Sequence, residues 1–238
     1  MKIKTRAVLG AVSDKCNKDF FAGKEERVEY IDLEKWPRKT HFEFFDRAAD
    51  PYIDVTVQMD ITPFLKYVKD HGHKFFPSAF YCFVKGVNET EEFRCRILED
   101  RVVKYDRIHG DLTVPIEGER FAFCKVEYSD NIREFIKATG AAQEEAKKQT
   151  ELVPNDWLDV VWVSCSPWFS FTSMSAPTAD RKMRSIPLIL VGKYYEQGGK
   201  TLLPVGLKVN HALIDGLHIG KLLAHFENSF KTPEKIFG

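Results

Sequence analysis

The chain has 238 residues, 44% of them hydrophobic, with 35 basic side chains against 35 acidic ones. That supplies one sizeable core, and a formal net charge of zero gives no electrostatic support for nucleic acid or an anionic membrane as the main partner. Five scattered cysteines (16, 82, 95, 124 and 165) form no CxxC pair. With no signal-like segment and no apolar run of about 18 residues, they fit a protein of the cytoplasm with neither a disulfide framework nor a zinc site.

Residues 1–28 are charged and aperiodic and read as an extension to one domain spanning 29–238. "DLEKW" predicts a short helix capped by Asp32 and ended by Pro37. "YIDVTVQMDIT" alternates as a strand, and Asp60 or Thr62 can cap the helix "PFLKYVKDHG", with Pro63 in its first turn. "FPSAFYCFVKGVNET" predicts a buried helix, and "RCRILEDRVVKYD" a hairpin turning at Glu99-Asp100. "RFAFCKVEYS" is a strand, followed by a long amphipathic helix, "NIREFIKATGAAQEEAKKQ", broken near Gly140. "WLDVVWVSCSP", "WFSFTSM", "IPLILVGKYYE" and "KTLLPVGLKVNHAL" are four more strand candidates. Ile219, Leu222, Leu223, Phe226 and Phe230 then follow helical spacing. Strands and helices mix without a strict βαβ repeat, so the expected fold is α/β, a two-layer sandwich of a mixed sheet with helices packed on it.

Leu203, Val205, Leu207, Val209 and His211 occupy every second position, which places them on one strand face. On spacing alone His211 reads as a core-facing histidine. Its alternative reading is a general base, held rigidly at a strand end and neutral near pH 7. A metal held by His211, Asp215 and His218 would draw its ligands from three local conformations, which disfavours it. Phe169, Phe171 and Ser173 alternate in the same way. Ser173 is either a hydroxyl bonded to a neighbouring carbonyl or a donor to developing negative charge.

"NHALIDGLHIG" resembles the His-x-x-x-Asp-Gly motif of the chloramphenicol acetyltransferase family. The resemblance extends in order through "WPRKTHFEFF", "TVQMDITPFLK", "HKFFP", "EFR", "SPWFSFTS", "GKYYEQG" and "LLPVGLKVNHALIDGLHIG", over roughly residues 28–232. It implies a coenzyme A-dependent O-acyltransferase with acetyl-CoA as co-substrate, no permanently bound cofactor or metal, and a small hydroxyl compound such as chloramphenicol as acceptor. His211 then matches the catalytic base and Ser173 the serine that stabilises the tetrahedral intermediate. Asp215 and Arg38 match a structural pair, Lys74 and Lys193 match basic residues near the coenzyme A phosphates, and Phe44 and Phe45 sit where the family lines its acceptor pocket. The resemblance also implies a homotrimer, with the histidine of one subunit facing the acceptor pocket of the next.

Departures concentrate in that pocket. The family usually has tyrosine at Phe45 and a water-binding threonine at Leu190. "PIEGERFAF" replaces a glutamine- and threonine-rich strand, and the charged "SAPTADRKMRS", with Asp180, Arg181, Lys182 and Arg184, replaces an asparagine-rich stretch. An acyltransferase for a different hydroxyl acceptor, or a non-catalytic trimeric scaffold, are the alternatives these departures raise.

Overall fold

The computed structural model describes residues 28–177 and 183–238. Most of the expected extension, 1–28, therefore lies outside the described residues, as do Asp180, Arg181 and Lys182; Val28 opens the first strand. In chain order the elements are β1 (Val28–Tyr30), α1 (Lys39–Phe45), β2 (Tyr52–Asp60), α2 (Thr62–Asp70), α3 (Phe75–Glu89), β3 (Cys95–Leu98) and β4 (Arg101–Tyr105). They continue with β5 (His109–Ile116), β6 (Arg120–Val126), α4 (Ile132–Ala146), β7 (Val160–Cys165), β8 (Leu188–Val191), β9 (Tyr195–Gln197), β10 (Lys200–Asn210), α5 (Gly216–Lys231) and α6 (Glu234–Phe237).

A mixed sheet runs in the order β2-β10-β8-β7-β5-β6, with β9 paired to β10. Its β5-β7 and β7-β8 pairs are parallel, and its β5-β6, β8-β10 and β10-β2 pairs antiparallel. Pleating sorts its side chains into two faces. The row Leu207, Ile189, Val163, Leu112 and Cys124 is buried, in a core shared with α2, α3, α4 and α5. Helix α3 lies directly on β5, where a Cβ at Gly110 would stand 2.3 Å from Phe80 Cζ. The adjacent row, Asp54, Lys208, Leu188, Trp162, Asp111 and Lys125, belongs to the face that the helices do not cover.

Four expectations change. "DLEKW" is a turn, in which Asp32 Oδ1 accepts from the Glu34 N–H (3.1 Å), and the helix starts only past Pro37, because proline disfavours a helical residue before it. Helix α4 runs unbroken through Gly140, a position where a Cβ would meet nothing within 4 Å. "WFSFTSM" is not a strand: it crosses over the sheet, with the Phe171 carbonyl accepting from Gln58 Nε2 (3.1 Å) and the Phe169 carbonyl from the Lys193 N–H (2.8 Å). Strands β1 and β5 were not expected; β5 hides behind Gly110, Asp111 and Pro115, residues depleted from strands.

Strands β1, β4 and β3 form a second, three-stranded sheet. Arg96 of β3 fastens it to the large sheet. Fully buried, its guanidinium donates to the carbonyls of Leu158 (2.7 Å), Val160 (2.6 Å), Phe93 (2.9 Å) and Cys95 (2.7 Å), with no carboxylate among these partners. Burial alone brings its pKa down to about 10, so it stays charged at neutral pH. Arg96→Leu strands buried carbonyls at about 1–3 kcal/mol each. Its urea midpoint should fall sharply, and an unchanged midpoint would show that Arg96 is not the fastener.

Candidate active site

Strand β10 ends at Asn210, and the chain turns at once into α5. The Asn210 side chain makes the turn: its Oδ1 accepts from the Ala212 N–H (3.0 Å), while its backbone carbonyl takes the N–H groups of Leu213 (3.1 Å) and Ile214 (3.0 Å). His211 is thereby placed just past the strand, with its N–H on the Pro51 carbonyl (2.7 Å). Its Nδ1 lies 3.0 Å from the Ile214 carbonyl oxygen. A carbonyl can only accept, so Nδ1 carries the proton and Nε2 keeps its lone pair. The Phe45 ring stacks on the imidazole at 3.8 Å between centroids, and Phe44 meets Phe45 edge-on at 5.0 Å. Fixed tautomer, fixed ring plane and an apolar neighbour together describe a side chain able to take a proton at Nε2.

Asp215 caps α5. Its Oδ1 accepts from the Leu217 N–H (3.0 Å), and its own N–H donates to His218 Nδ1 (3.1 Å), which completes a capping box. His218 is therefore spent on the cap, with Nε2 toward Glu92 (3.4 Å); burial holds its pKa below the ordinary histidine value. Arg38 Nη1 donates to Asp215 Oδ2 at 2.5 Å. Burial pulls the Asp215 pKa up, but the Arg38 hydrogen bond and the nearby positive groups outweigh it and hold the carboxyl below its usual range. Arg38 Nε and Nη2 are buried without a hydrogen-bond partner, so removal of Asp215's charge would leave this guanidinium poorly compensated.

A second constellation occupies the helix-free face. Phe121, Phe123, Trp162, Leu188 and Ser164 line an apolar cavity of about 440 Å³, into which Asp111 also projects from β5. Ser164 stands opposite Leu190 in the β7-β8 register, and Leu190 opposite Gly206 of β10. The crossing segment covers this row: a Cβ at Gly206 would lie 3.6 Å from the Met174 carbonyl oxygen, and Ser175 Oγ accepts from Lys208 Nζ (3.1 Å).

The structure brings His211, Phe44, Phe45, Asp215 and Arg38 to one corner. It also brings Lys74 and Lys193 to one rim, since the neighbours Phe75 and Tyr194 meet edge-on at 5.4 Å. Within the chain it does not unite Ser173 or Leu190 with His211. Ser173 is exposed and has no hydrogen bond among the described residues, whereas Leu190 is buried under the crossing segment. Arg184, of the charged stretch that follows Ser173 in sequence, is bound to Asp46 at 2.6 Å, and its carbonyl accepts from Asn210 Nδ2 (3.3 Å). Ser164, Asp111 and Asn155 escaped the sequence reading. The alternation of Trp162 and Ser164 against Val161, Val163 and Cys165 was the available sign for Ser164.

Comparison with known proteins places this geometry. A family model described as chloramphenicol acetyltransferase matches residues 27–227. A chloramphenicol acetyltransferase of Escherichia coli is 35% identical over 195 residues, covering 81% of this chain and 89% of that protein. One from Staphylococcus intermedius is 28% identical over 208 residues, covering 86% and 96%. A solved chloramphenicol acetyltransferase superposes with a TM-score of 0.75 at 25% identity, covering 85% of this chain and 99% of its own. With its His-x-x-x-Asp-Gly turn, its mixed sheet and this match over most of its length, the chain belongs to the chloramphenicol acetyltransferase family.

Proposed function

We propose that the chain is an acetyl-CoA-dependent O-acetyltransferase acting on chloramphenicol or a small hydroxyl compound of similar shape. The observation that carries this reading is the Nδ1 contact of His211 with the Ile214 carbonyl, which in the neutral ring fixes the proton on Nδ1 and the lone pair on Nε2. Nε2 takes the proton of the acceptor hydroxyl as that oxygen attacks the thioester carbonyl of acetyl-CoA. A serine hydroxyl donates to the resulting oxyanion. Collapse of the tetrahedral intermediate expels the coenzyme A thiolate, which recovers the proton from the imidazolium, and neutral His211 is restored. No covalent acyl-enzyme and no bound cofactor is needed. Lys74 and Lys193, both exposed on one rim, suit the coenzyme A phosphates.

Two serines compete for the donor role. Ser173 carries the sequence resemblance, but its hydroxyl faces water, where a hydrogen bond to an oxyanion is worth little. Ser164 lines an apolar cavity, where such a bond is worth most, and we assign the donor role to it. The cavity is the acceptor pocket in this reading. His211 lies at the end of the row facing the helices and the cavity on the other face, so the site is completed between copies of the chain, as a homotrimer would do. Among the described residues no helix is long and apolar enough to cross a membrane, which agrees with work in the cytoplasm. A non-catalytic scaffold would have no need of a fixed histidine tautomer.

His211→Ala should lower kcat by about 10²–10⁴ with acetyl-CoA affinity nearly unchanged, read as thiol release with chloramphenicol as acceptor. In the same assay Ser164→Ala should cost about 10²–10³ and Ser173→Ala little. The reverse order would return the donor role to Ser173, and an active His211→Ala would remove the mechanism.

Asp215→Asn keeps an acceptor at the cap but removes the charge facing Arg38, and should cost roughly 1–3 kcal/mol together with activity. Because the folded pKa of Asp215 is lowered, its contribution is complete above its unfolded value of 3.8 and is lost as pH falls through the lower folded value. Denaturation of both chains at pH 7 and in acid checks this: the native chain should converge on the variant in acid, and equal stability at pH 7 would refute the brace.

Leu190 cannot anchor the water that the family's threonine holds, so chloramphenicol should be a slow acceptor, and Leu190→Thr should raise its kcat/KM by about tenfold. Turnover already fast in the native chain, with no gain on substitution, would contradict the altered pocket.

A further inference from the structure

The cavity on the helix-free face is mostly apolar, with Thr113, Ser164, Asp111 and Asn155 among its polar side chains. There Asp111, only 2% exposed, places one carboxylate oxygen on the Cys124 N–H (3.2 Å) and leaves Oδ2 buried without a hydrogen bond. Asn155 lines the same cavity, and its Oδ1 is also buried without a partner. Two orphaned acceptors therefore share one end of a pocket whose apolar walls include Phe121, Phe123, Trp162 and Leu188. Buried acceptors left unpaired are costly, and a carboxylate without a cation is the costliest.

Among the described residues Asp111 makes no ion pair. Lys125, its register partner on β6, holds its ammonium on Asp159, and His109 on β5 also faces Asp159 (3.8 Å). The Asn155 amide beside Asp111 brings a dipole but no positive charge. Burial accordingly pushes the Asp111 pKa up to about 7, against the opposing pull of the Cys124 N–H, Lys125 and the Asn155 amide. The group that would satisfy both oxygens brings at least two hydrogens and a positive charge.

Building on the acetyltransferase reading, we propose that Asp111 and Asn155 form the selective end of the acceptor pocket and take a hydroxyl compound whose aromatic or aliphatic body ends in a protonated amine. The body fills the apolar walls, the ammonium donates to Asp111 Oδ2 and Asn155 Oδ1, and the hydroxyl is left at the opposite end for acetylation. Ion-paired hydrogen bonds of this kind are the strong ones in a dry site. Chloramphenicol, which carries no cation, leaves both acceptors unmet.

Two matched alcohols test this: 3-[4-(aminomethyl)phenyl]propan-1-ol and 3-(4-methylphenyl)propan-1-ol, each with acetyl-CoA, with thiol release measured and the O-acetyl product identified by mass and base lability. At pH 8 the amine should be preferred in kcat/KM by about tenfold or more. The ratio should shrink as pH falls through about 7 and Asp111 takes up a proton, while the alkyl amine stays charged. His211 serves both alcohols alike, so its contribution cancels in the ratio. Asp111→Asn should bring the ratio close to one. Because a raised folded pKa destabilises the ionised form, this variant should also melt above the native chain at pH 8 and close to it at pH 5. A ratio near one in the native chain, a preference that survives Asp111→Asn, or equal melting at pH 8 would each overturn the proposal. If neither alcohol nor chloramphenicol is acetylated, the acetyltransferase reading fails by itself. Calorimetric binding of the amine to native and Asp111→Asn chains then decides the Asp111 proposal, with equal affinities overturning it.

Discussion

The pleat of β10 sends Leu203, Val205, Leu207 and Val209 beneath the helices and turns Gly206 and Lys208 the other way, and the helices cover only the first of these faces. Everything else follows from that one-sided cover. The covered face is closed by aromatic side chains from α3, α4 and α5, so the dominant stabilising burial is on one side of the sheet. The uncovered face is free to keep a cavity, a serine and a buried acid that a two-sided sheet would have filled with side chains.

The same division explains why the proposed machinery is split. His211 belongs to the corner made by α1, the β10 turn and the first turn of α5. Ser164 and Asp111 belong to the uncovered face. Rigid placement on each side costs little, since the histidine is held by two carbonyls and an aromatic ring and the serine sits within a strand. Bringing the halves together is then a matter of docking preformed surfaces rather than of folding a loop around the substrate.

Much of the sheet was legible because its elements carry strong local patterns. Strands β2 and β10 alternate cleanly, α3 is predominantly apolar and largely buried, and the Glu99-Asp100 turn is marked by its polar pair, with Glu99 at a φ of 58°. The errors are places where tertiary contacts overrode local preference. The period-2 aromatics of 168–174 satisfy their backbone with Gln58 and Lys193 instead of a strand ladder, and Gly140 is carried through α4 by the packing of Thr139 before it and Ala146 after it. At the site, the histidine and its brace were legible through the motif. The cavity was not, because it is assembled from one or two side chains on each of several strands, and no single stretch of sequence displays it.

Arg96 joins the two sheets through carbonyl oxygens, which do not titrate in acid, whereas the Arg38–Asp215 corner depends on a carboxylate that does. Acidification therefore acts on the two joints unequally. The cap of α5 and the seat of His211 loosen while the seam between the sheets keeps both of its hydrogen bonds, to Leu158 and Val160. The order of loss is built in: the molecule surrenders its chemistry before its architecture, and on return to neutral pH the corner has an intact frame on which to re-form.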